Sequence, residues 1–372
     1  MSTNALTAVS DLPAKLNLVG LEPEALVDFF DGLGEKSYRA RQIMGWLYQR
    51  GVLNFQDMTD IGLRLRQRLE QVATLKLPEV IRVEESTDGT RKWLLDVGAG
   101  QAVETVFIPE ANRNTLCISS QAGCVLDCAF CATGRAGFNR NLSAAEILGQ
   151  VLIVKRALGP EIALSNIVFM GMGEPLANYR NVVPVAKLLI NDHAFGLSRR
   201  RVTISTAGLV PQLRRLADDC NVALAVSLHA ATDPLRDVLV PINRRYPISE
   251  LLDACWHYAA CVAARHVTFE YVMLRDVNDS LRDARRLARL LRNRPAKVNL
   301  IPFNSFPGTH YQCSAPDIIE NFSHELRSVG IVATIRRTRG DDIAAACGQL
   351  AGQVQDRTRV RFGEKTFRSV RR

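Results

Sequence analysis

The sequence predicts an α/β fold that follows a small helical unit and a β-hairpin extension. From Thr115 onward, β-branched runs alternate with helical stretches at intervals of about 30 residues, the pattern of βαβ units built on a parallel sheet. Between Val80 and Glu110, apolar and polar residues alternate around short Gly-containing turns, which indicates hairpin strands. Before residue 78, apolar residues recur three and four positions apart, as they do in short packed helices.

The helical unit is expected over residues 1–78. Its segments PEALVDFFDGLG, SYRARQIMGWLYQRG and IGLRLRQRLEQ begin at Pro23, Ser37 and Ile61 and have Gly or Asp near their ends. Ser37 stands directly before a helical pattern, so we predict that it caps the second helix. Residues 79–110 follow as the hairpin extension, with the strands VIRVEES, RKWLLDV and VETVFIPE separated by TDGT and GAGQ.

Residues 111–345 are predicted to form the parallel sheet with its helices. The predicted strands are TLCIS, NIVFMGM, RVTISTAG, VALAVSLHA, VTFEYVML, KVNLIPF and VATIRRT. Parallel strands need right-handed crossovers and are buried on both faces, so a full barrel, a partial barrel and a doubly wound sheet all accommodate them. In each of these folds ligands bind at the carboxyl ends of the strands. Residues 346–372 remain as a separate C-terminal segment.

The composition is that of a packed globular chain. Of 372 residues, 47% are hydrophobic and 23% are charged, which disfavours a disordered chain. Met1 to Lys15 lacks a basic stretch followed by an apolar core, and no apolar run approaches the roughly 18 residues of a membrane span. The nine cysteines are an odd number, which suits thiols kept for chemistry in a reducing compartment. We therefore expect a cytoplasmic monomer without membrane attachment.

Positive charge is concentrated near the C-terminus of a chain whose formal net charge is +9. From Arg357 to Arg372 there are seven Lys or Arg residues and one Glu, with Phe362 and Phe367 between them. Cationic side chains release counterions from phosphates and aromatic rings stack on exposed bases, so this tail is a candidate RNA contact. A solvated basic tail is the alternative. Two shorter arginine runs add to the case for a polyanion: Arg199–Arg201, and Arg336 with Arg337 and Arg339.

Three cysteines follow the first strand of the predicted parallel sheet in the stretch CVLDCAFC. Cys124, Cys128 and Cys131 lie on a tight loop at the end of the strand where ligands bind. Three thiolates can hold three irons of a cubane iron–sulfur cluster and leave the fourth iron open to a small molecule. Structural zinc is the alternative, but it takes four ligands, commonly from two knuckles, and the sequence has no second knuckle.

This cysteine motif resembles that of the radical S-adenosylmethionine (SAM) enzymes, in which an aromatic residue, here Phe130, precedes the last cysteine. The resemblance extends to GMGEP, Gly171 to Pro175, at the end of the second strand, where that family receives the methionyl amino group on backbone carbonyls. More closely, TLCISSQAGCVLDCAFCATGRAGFNRNLSAAEILGQV and GDDIAAACGQLAG are similar to bacterial enzymes that methylate adenine C2 in 23S ribosomal RNA and in transfer RNA.

The resemblance covers nearly the whole chain and implies a fold and partners. The implied fold is a partial (β/α)6-type radical SAM barrel with an N-terminal helical domain that contacts RNA. The implied substrates are an adenine of 23S ribosomal RNA and the adenine 3′ of the anticodon in some transfer RNAs. An electron donor such as flavodoxin or ferredoxin is also implied.

Two cofactors are implied in the same way. A [4Fe-4S] cluster would be held by Cys124, Cys128 and Cys131, and its open iron would bind the amino and carboxylate groups of SAM. His229 is given no role in proton transfer, because a histidine after an apolar run is commonly a satisfied core group. The residues that the resemblance assigns to the SAM pocket are Gly173, Glu174, Ser205, Ser227, Leu228, His229 and Asn304.

The resemblance also implies a route to adenine C2, a carbon without a lone pair to attack an electrophilic methyl group. Cys347 would take a methyl group from one SAM, and a deoxyadenosyl radical from a second SAM would abstract hydrogen from it so that the carbon adds to C2. Cys117 would then attack the Cys347 sulfur and release the product as a disulfide forms. Glu104 would remove the C2 proton. From residue type alone, both cysteines would be buried packing residues and Glu104 an exposed strand residue.

Three other functions remain as alternatives. A related family methylates C8 of the same ribosomal adenine and confers antibiotic resistance, and it shares these catalytic residues; our preference for C2 rests on GFNRNL and overall similarity. Methylthiolating radical enzymes need a second set of three cysteines. A non-catalytic RNA-binding module with structural zinc is the third. The remaining cysteines are too dispersed for a second cluster, and we interpret them as packing residues: Cys220, Cys255, Cys261 and Cys313.

Overall fold

A computed structural model describes residues 15–262 and 266–357, so most of the basic tail lies outside the described residues. The strands are β1 Leu16–Asn17, β2 Ala73–Thr74, β3 Glu79–Glu85, β4 Arg91–Gly98, β5 Gln101–Glu110, β6 Arg113–Cys117, β7 Gln121–Gly123, β8 Phe138–Asn141, β9 Asn166–Phe169, β10 Val202–Thr206, β11 Ala223–Ser227, β12 Val267–Met273, β13 Ala296–Pro302 and β14 Val332–Ile335. The helices are α1 Pro23–Gly32, α2 Tyr38–Met44, α3 Leu63–Val72, α4 Ala132–Arg135, α5 Ala144–Leu158, α6 Tyr179–Ile190, α7 Val210–Asp219, α8 Asp233–Leu239, α9 Ile248–Cys261, α10 Leu281–Leu291 and α11 Pro316–Ser328.

One ten-stranded sheet organises the chain, in the order β14-β13-β12-β11-β10-β9-β6-β5-β4-β3. The seven strands from β14 to β6 pair in parallel, as the sequence predicts. Inward-facing residues of all seven line a single cavity, so this part of the sheet is curved. Within the described ranges β14 and β3 are the edges and do not pair with each other. The α/β fold with a partial barrel is therefore confirmed.

The hairpin extension belongs to the same sheet as the barrel. Strands β3, β4 and β5 pair antiparallel with one another, and β5 continues antiparallel onto β6. The Val106–Cys117 pair joins the two parts at the carboxyl end of β6. The extension therefore borders the face of the barrel on which ligands bind in parallel α/β folds.

A side chain caps the start of α5, whereas none caps the start of α2. Ser143 and Glu146 form a capping box at the start of α5, in which Ser143 Oγ accepts the Glu146 N–H and Glu146 Oε2 accepts the Ser143 N–H at 2.8 Å. Ser37 occupies the N-cap position of α2, as predicted, but its side chain makes no capping hydrogen bond. Its backbone is helical (φ −54°, ψ −29°), whereas a capping side chain needs an extended backbone.

The N-terminal helices pack on the outer helices of the barrel. Lys155 on α5 donates to the carbonyl oxygens of Tyr48 and Gln49 at 2.7 and 2.9 Å. Gly20 lies so close to α5 that an added Cβ would be 2.7 Å from the Ala144 carbonyl carbon. One hydrophobic core includes buried residues of both parts. Within the described part of the chain, no helix is long and apolar enough to cross a membrane.

Candidate active site

The cysteine loop after β6 is shaped by the short hairpin of β7 and β8. Gly123 ends β7 with φ +80°, and a Cβ built there would lie 2.0 Å from the Gly137 carbonyl oxygen. The Cys124 N–H donates to that same oxygen at 2.8 Å. The backbone angle and the lack of space both require glycine before the first cysteine.

The three cysteines of this loop influence one another electrostatically. Burial raises the pKa of the Cys124 thiol well above its usual value, and Cys128 and Cys131 raise it further. Burial also raises the pKa of Cys128, which Cys131 raises as well, whereas the Arg236 cation lowers it. The Leu126 N–H donates to Cys124 Sγ at 3.4 Å. The loop therefore holds the three thiols close enough to interact electrostatically.

The Gly-Met-Gly-Glu-Pro turn after β9 packs directly against the loop after β6. A Cβ on Gly171 would lie 2.7 Å from Ser119 Oγ, and one on Gly173 would lie 2.5 Å from the Gln121 Cβ. Gly173 also has φ +100°, which favours glycine. Gln121 Oε1 accepts the backbone N–H of Glu174 at 2.9 Å and secures the turn. The two strand ends are thus held in fixed relation.

Glu174 joins the second and third strand ends through its side chain. One carboxylate oxygen accepts the Leu176 N–H at 2.9 Å, and the other accepts the Ala207 N–H at 2.7 Å. Burial raises the pKa of Glu174 to about 7, and these hydrogen bonds oppose the rise. Among the described contacts none uses the carbonyl oxygen of Gly173. The motif therefore has a backbone acceptor available to a ligand, while its carboxylate is engaged within the protein.

A buried arginine that the sequence analysis did not single out organises the next strand ends. Arg236 on α8 has no exposed surface and donates to the carbonyl oxygens of Ala207, Ser227 and Leu228 at 2.7, 3.0 and 3.1 Å. It also donates to Asn243 Oδ1 at 3.0 Å. The backbone of two predicted pocket residues is therefore positioned by this one guanidinium.

His229 is a neutral structural residue in this site. Its Nδ1 accepts the Val272 N–H at 3.0 Å, and its carbonyl oxygen accepts Asn278 Nδ2 at 2.9 Å. Burial lowers the pKa of His229 to about 3, and the Arg236 cation lowers it too. Its ring meets Phe130 of the cysteine loop edge to face, with centroids 4.5 Å apart. The expectation that His229 transfers no proton agrees with this environment.

The two predicted serines differ from the other pocket residues. Ser205 on β10 and Ser227 on β11 are both half-buried. No hydrogen bond within the described residues involves either hydroxyl group. By contrast, the side chains of Leu228 and His229 are buried in the protein interior. The serine hydroxyls are therefore the side-chain groups of this rim that a ligand can engage.

The segment that carries Cys347 crosses the strand ends and lies on the cysteine loop. The Ala132 N–H, one residue after Cys131, donates to the Gly348 carbonyl oxygen at 2.8 Å. Asn304 donates from Nδ2 to the Cys347 carbonyl oxygen at 3.2 Å. Cys347 is thereby held beside the three clustered cysteines, and the Asn304 amide supports it in this conformation.

Cys117 and Cys347 line one cavity of about 580 Å³ inside the barrel. Burial raises the pKa of Cys117 to about 12, and the nearby Cys347 raises it further, whereas Arg336 lowers it. Burial also raises the pKa of Cys347, and Arg336 opposes the rise through its charge and a hydrogen bond. Glu270, the other buried charged group beside Cys347, raises that pKa. Of the seven predicted pocket residues, Asn304 lines this cavity.

Glu104 is buried rather than exposed, which corrects the expectation from residue type alone. Only 6% of its surface is accessible, and it lies on β5 next to the strand that ends in Cys117. Its Oε2 accepts the backbone N–H groups of Ala351 and Gly352 at 2.9 and 3.0 Å. Its Oε1 lies 3.2 Å from Lys92 Nζ. Glu104 thus contacts the segment that carries Cys347.

Comparison with known proteins identifies the family. The model of the Ribosomal RNA large subunit methyltransferase N-terminal domain matches residues 16–75, and that of the Radical SAM superfamily matches residues 118–288. The crystal structure of a radical SAM methyltransferase from Sphaerobacter thermophilus is 43% identical, with a TM-score of 0.85 over 90% of this chain and 99% of that chain. This chain belongs to the RlmN-type radical SAM methyltransferases.

Two other solved structures are similar to this chain at low identity. A domain of pyruvate-formate lyase-activating enzyme from Bacteroides vulgatus is 17% identical, with a TM-score of 0.37 over 46% of this chain and 99% of that chain. Streptococcus suis SuiB bound to S-adenosylmethionine is 10% identical, with a TM-score of 0.44 over 64% of this chain and 57% of that chain. These similarities are too weak to bear on the activity of the RlmN-type chain.

The RlmN family implies a 4Fe-4S cluster and SAM, and the residues present fit both. Thiolates are the ligands of such clusters, and the cysteine loop supplies three of them, one with an N–H donor to its sulfur. Among the described residues, no three His, Cys, Asp or Glu side chains surround a single ion position. A cubane cluster does not need such a single position, because each thiolate bonds a different iron. The free Gly173 carbonyl and the serine hydroxyls suit the polar groups of SAM.

In this RlmN-type chain, two further residues lie where the sequence did not indicate. The sequence associates Arg336 with Arg337 and Arg339 as support for a polyanion contact, and the structure places Arg336 in the cavity beside both cysteines. Cys261 was interpreted as a packing residue, but it is exposed at the end of α9. It follows the buried Cys255 by six residues, which places it on another face of the helix. No local pattern distinguishes a buried arginine such as Arg236 from a solvated one, so sequence carried no signal for it.

Proposed function

We propose that this chain methylates C2 of an adenine in 23S ribosomal RNA and of the adenine 3′ of the anticodon in some transfer RNAs. The observation that carries the proposal is the cavity shared by Cys117 and Cys347 beside the cysteine loop. Methylation through a protein thiol needs a carrier and a second thiol to release it. These two cysteines, far apart in sequence, line the same space, and Arg336 interacts with both.

Cys347 is the methyl carrier in this proposal. When bound at Cys124, Cys128 and Cys131, the cluster together with SAM supplies the methyl group and the radical that activates it. Cys347 holds the methyl carbon as a thioether and presents it to the base. The Asn304 contact with the Cys347 carbonyl orients the segment for this step. Residues 16–75, the part matched by the ribosomal RNA methyltransferase domain, provide the proposed RNA contact.

Cys117 is the residue that releases the methylated base. Once the methyl carbon is bonded to both adenine C2 and the Cys347 sulfur, the Cys117 thiolate attacks that sulfur. An S–S bond forms, the sulfur–carbon bond breaks, and its electron pair remains with the carbon, which takes up a proton to become the product methyl group. The two cysteines are oxidised by two electrons in this step. Burial raises the pKa of the Cys117 thiol, and the Arg336 cation opposes the rise and so favours the attacking thiolate.

Glu104 is the proposed acceptor of the C2 proton. Its carboxylate extends from β5 beside Cys117 and is bound to the backbone of Ala351 and Gly352. A carboxylate acts as a base when it lies within hydrogen-bond reach of the proton. Because the same group anchors the Cys347 segment, proton removal and carrier position are linked through one side chain.

The decisive experiment is mass spectrometry of adenosine from 23S ribosomal RNA and transfer RNA of cells lacking and regaining this chain. We expect 2-methyladenosine to disappear with the chain and to return with it. Appearance of 8-methyladenosine instead would favour the related C8 family. Unchanged adenosine in both RNAs would refute the proposal.

Cysteine variants test the assigned roles. Cys347→Ala should abolish methyl transfer, whereas Cys117→Ala should accumulate a covalent protein–RNA adduct that gel electrophoresis separates from free protein. Cys261→Ala is the matched control, since Cys261 is exposed on α9 and lines no part of the cavity. Normal turnover by Cys117→Ala would show that the resolving role is wrong.

Metal analysis separates the enzyme from a zinc-containing RNA-binding module. Anaerobically reconstituted protein should contain about four irons and four sulfides per chain, as a cubane cluster requires. Cys124→Ala should lose most of this iron, and Cys261→Ala should retain it. One zinc and no iron in the wild-type chain would favour the module.

A further inference from the structure

The cavity that reaches Cys117 and Cys347 extends through the whole barrel interior, and we call this space the bore. At the carboxyl end of the strands it is lined by Cys117, Cys347 and Asn304. At the opposite end it is lined by residues at or just before strand starts: Arg113, Asn166, Arg200, His266 and Lys297. Arg113, Arg200 and Lys297 are exposed, so the bore opens to solvent at this end.

Small inward-facing side chains keep the bore open. The middle strands point Thr203, Ala223, Ala225 and Thr268 into it, and three of these four residues are half-buried rather than buried. In a closed (β/α)8 barrel this interior is filled by layers of bulky branched side chains. The residues of this barrel leave about 580 Å³ unfilled, within the range of small-molecule sites.

The bore is strongly cationic. It is lined by two carboxylates, Glu110 and Glu270, and by six cations: Arg113, Arg200, Lys297, Arg336, Arg337 and Arg339. Two of the cations are paired, because Arg113 lies 3.8 Å from Glu110 and Arg339 lies 3.7 Å from Asp88. Within the described residues Arg200, Lys297 and Arg337 have no ion pair. A cleft lined by one sign of charge attracts small ions of the other sign.

The carboxyl end of the bore is covered by the protein itself. The Gly348 carbonyl is bonded to Ala132 of the cysteine loop, and Ala351 and Gly352 are bonded to Glu104. The disulfide left by the proposed reaction therefore lies under the Cys347 segment, with the open cationic end on its other side. Each catalytic cycle requires that this disulfide be reduced.

We propose that a small anionic thiol, of the carboxylate-bearing tripeptide class or smaller, enters the bore at the amino-terminal end of the strands and reduces the Cys117–Cys347 disulfide. This inference rests on the proposed function, since that function forms the disulfide. Arg200, Lys297 and Arg337, which have no ion pair among the described residues, attract the carboxylates. Arg336 lies next to the sulfur atoms at the inner end.

Reduction of the disulfide takes two thiol–disulfide exchange steps. The thiolate of a first molecule attacks Cys347 Sγ, forms a mixed disulfide and releases the Cys117 thiolate. The thiolate of a second molecule attacks the sulfur of the bound thiol, which releases the Cys347 thiolate and a small-molecule disulfide. Two thiols thus lose two electrons, and their two protons pass to the cysteines. Cys347 is the sulfur attacked first because it is half-buried, whereas Cys117 is buried.

The test uses the full chain with its cluster reconstituted and its disulfide formed anaerobically with diamide, so it needs no RNA turnover. Peptide mass spectrometry follows loss of the Cys117–Cys347 link under three probes: 2-mercaptoethanesulfonate, 2-mercaptoethanol and cysteamine. The rate with each probe is divided by the rate at which the same probe reduces a neutral small-molecule disulfide, so that differences in the intrinsic reactivity of the probes are removed. We expect the anionic probe to be favoured over the neutral one by about tenfold at low salt, and the preference to fall as salt rises.

Two variants locate the route. Lys297→Glu should remove most of the anionic preference, while the matched charge reversal Arg282→Glu, on the exposed start of α10, should keep it. Thr268→Phe should slow reduction by all three probes because it fills the bore. Equal rates for the three probes, or wild-type rates in both Lys297→Glu and Thr268→Phe, would overturn the proposal. Failure of the disulfide to form would overturn it as well.

The result of this test does not depend on whether the chain methylates RNA, because diamide rather than the reaction forms the disulfide. A chain that never methylates RNA can still show the charge preference in the diamide-formed disulfide. Conversely, a chain that methylates adenine C2 but shows no preference among the probes refutes only the route through the bore. The two hypotheses therefore fail separately.

Discussion

The Glu104 carboxylate on β5 accepts the backbone N–H of Ala351 at 2.9 Å and so joins the hairpin extension to the segment that carries Cys347. Lys92, on the neighbouring strand, continues this connection. Its ammonium group lies 3.2 Å from Glu104 Oε1 and donates to the carbonyl oxygens of Ile343 and Ala344. The Glu–Lys pair therefore holds the chain on both sides of Cys347, and the hairpin extension acts as its support.

Glu104→Ala should loosen the Cys347 segment even when no substrate is present. The substitution removes two hydrogen bonds to a carboxylate, each worth about 1.5–3 kcal/mol. Because the two bonds together contribute about 3–6 kcal/mol and 1.4 kcal/mol corresponds to a factor of ten, alkylation of Cys347 by iodoacetamide should accelerate by at least about 100-fold, as measured by peptide mass spectrometry. Glu84→Ala is the control, since Glu84 also pairs with Lys92 at 3.2 Å but holds none of this segment. Unchanged alkylation in Glu104→Ala would contradict the anchoring role.

Arg236→Met should destabilise the fold severely. The change leaves the carbonyl oxygens of Ala207, Ser227 and Leu228 without their buried donor. Losing one side of a buried charged network costs about 3–5 kcal/mol. Urea unfolding should show this loss, whereas Arg285→Met, which breaks an exposed 3.1 Å pair with Glu325, should cost less than about 1 kcal/mol. Similar losses in the two variants would disprove the organising role of Arg236.

Gly123→Ala should reduce cluster assembly without unfolding the barrel. An alanine Cβ would lie 2.0 Å from the Gly137 carbonyl oxygen, so the loop that starts at Cys124 must shift. Iron content after anaerobic reconstitution should fall to less than half of the roughly four irons per chain of a cubane cluster. Circular dichroism should remain unchanged. Gly32→Ala is the matched control, because nothing lies within 4 Å of a Cβ at Gly32; a full iron complement in Gly123→Ala would be inconsistent with this geometry.

Glu174 should make the metal-free protein less stable as pH rises through neutrality. Burial raises the folded-state pKa from 4.5 to about 7, so the fold favours the protonated carboxyl group. This contribution is fully present below pH 4.5 and is lost as the pH rises through 7, by up to about 3 kcal/mol at 1.36 kcal/mol per pKa unit. The free energies of unfolding of wild type and Glu174→Gln, measured with urea from pH 5 to 8, differ by this contribution. Parallel pH profiles would exclude the effect.

Much of the fold could be predicted because its signals are local. The seven parallel strands appear in the sequence as β-branched runs, since strands buried on both faces have little need for polar residues. The capping box at Ser143 and Glu146, which the sequence analysis does not single out, is likewise formed within four residues of chain. Ser37 has the residue type and the position of a cap but not the extended backbone that a capping side chain needs.

The candidate site could be predicted only in part. Cys124, Cys128 and Cys131 are close in sequence, so their spacing alone indicates a shared ligand. Cys117 and Cys347 became a pair only through resemblance to a family, since nothing local relates two cysteines on distant segments. Arg236 and Arg336 could not be predicted as site residues, because arginine side chains are normally exposed to solvent.

The sequence by itself determined the succession of strands and helices along the chain, the loop of three cysteines and the glycines that the turns require. These features depend on residues that are neighbours along the chain. Only the tertiary structure decided that Glu104 is a buried anchor, that Arg336 interacts with two thiols and that the barrel interior stays open. These properties depend on burial and on charges from distant segments, which exist only once the chain has folded.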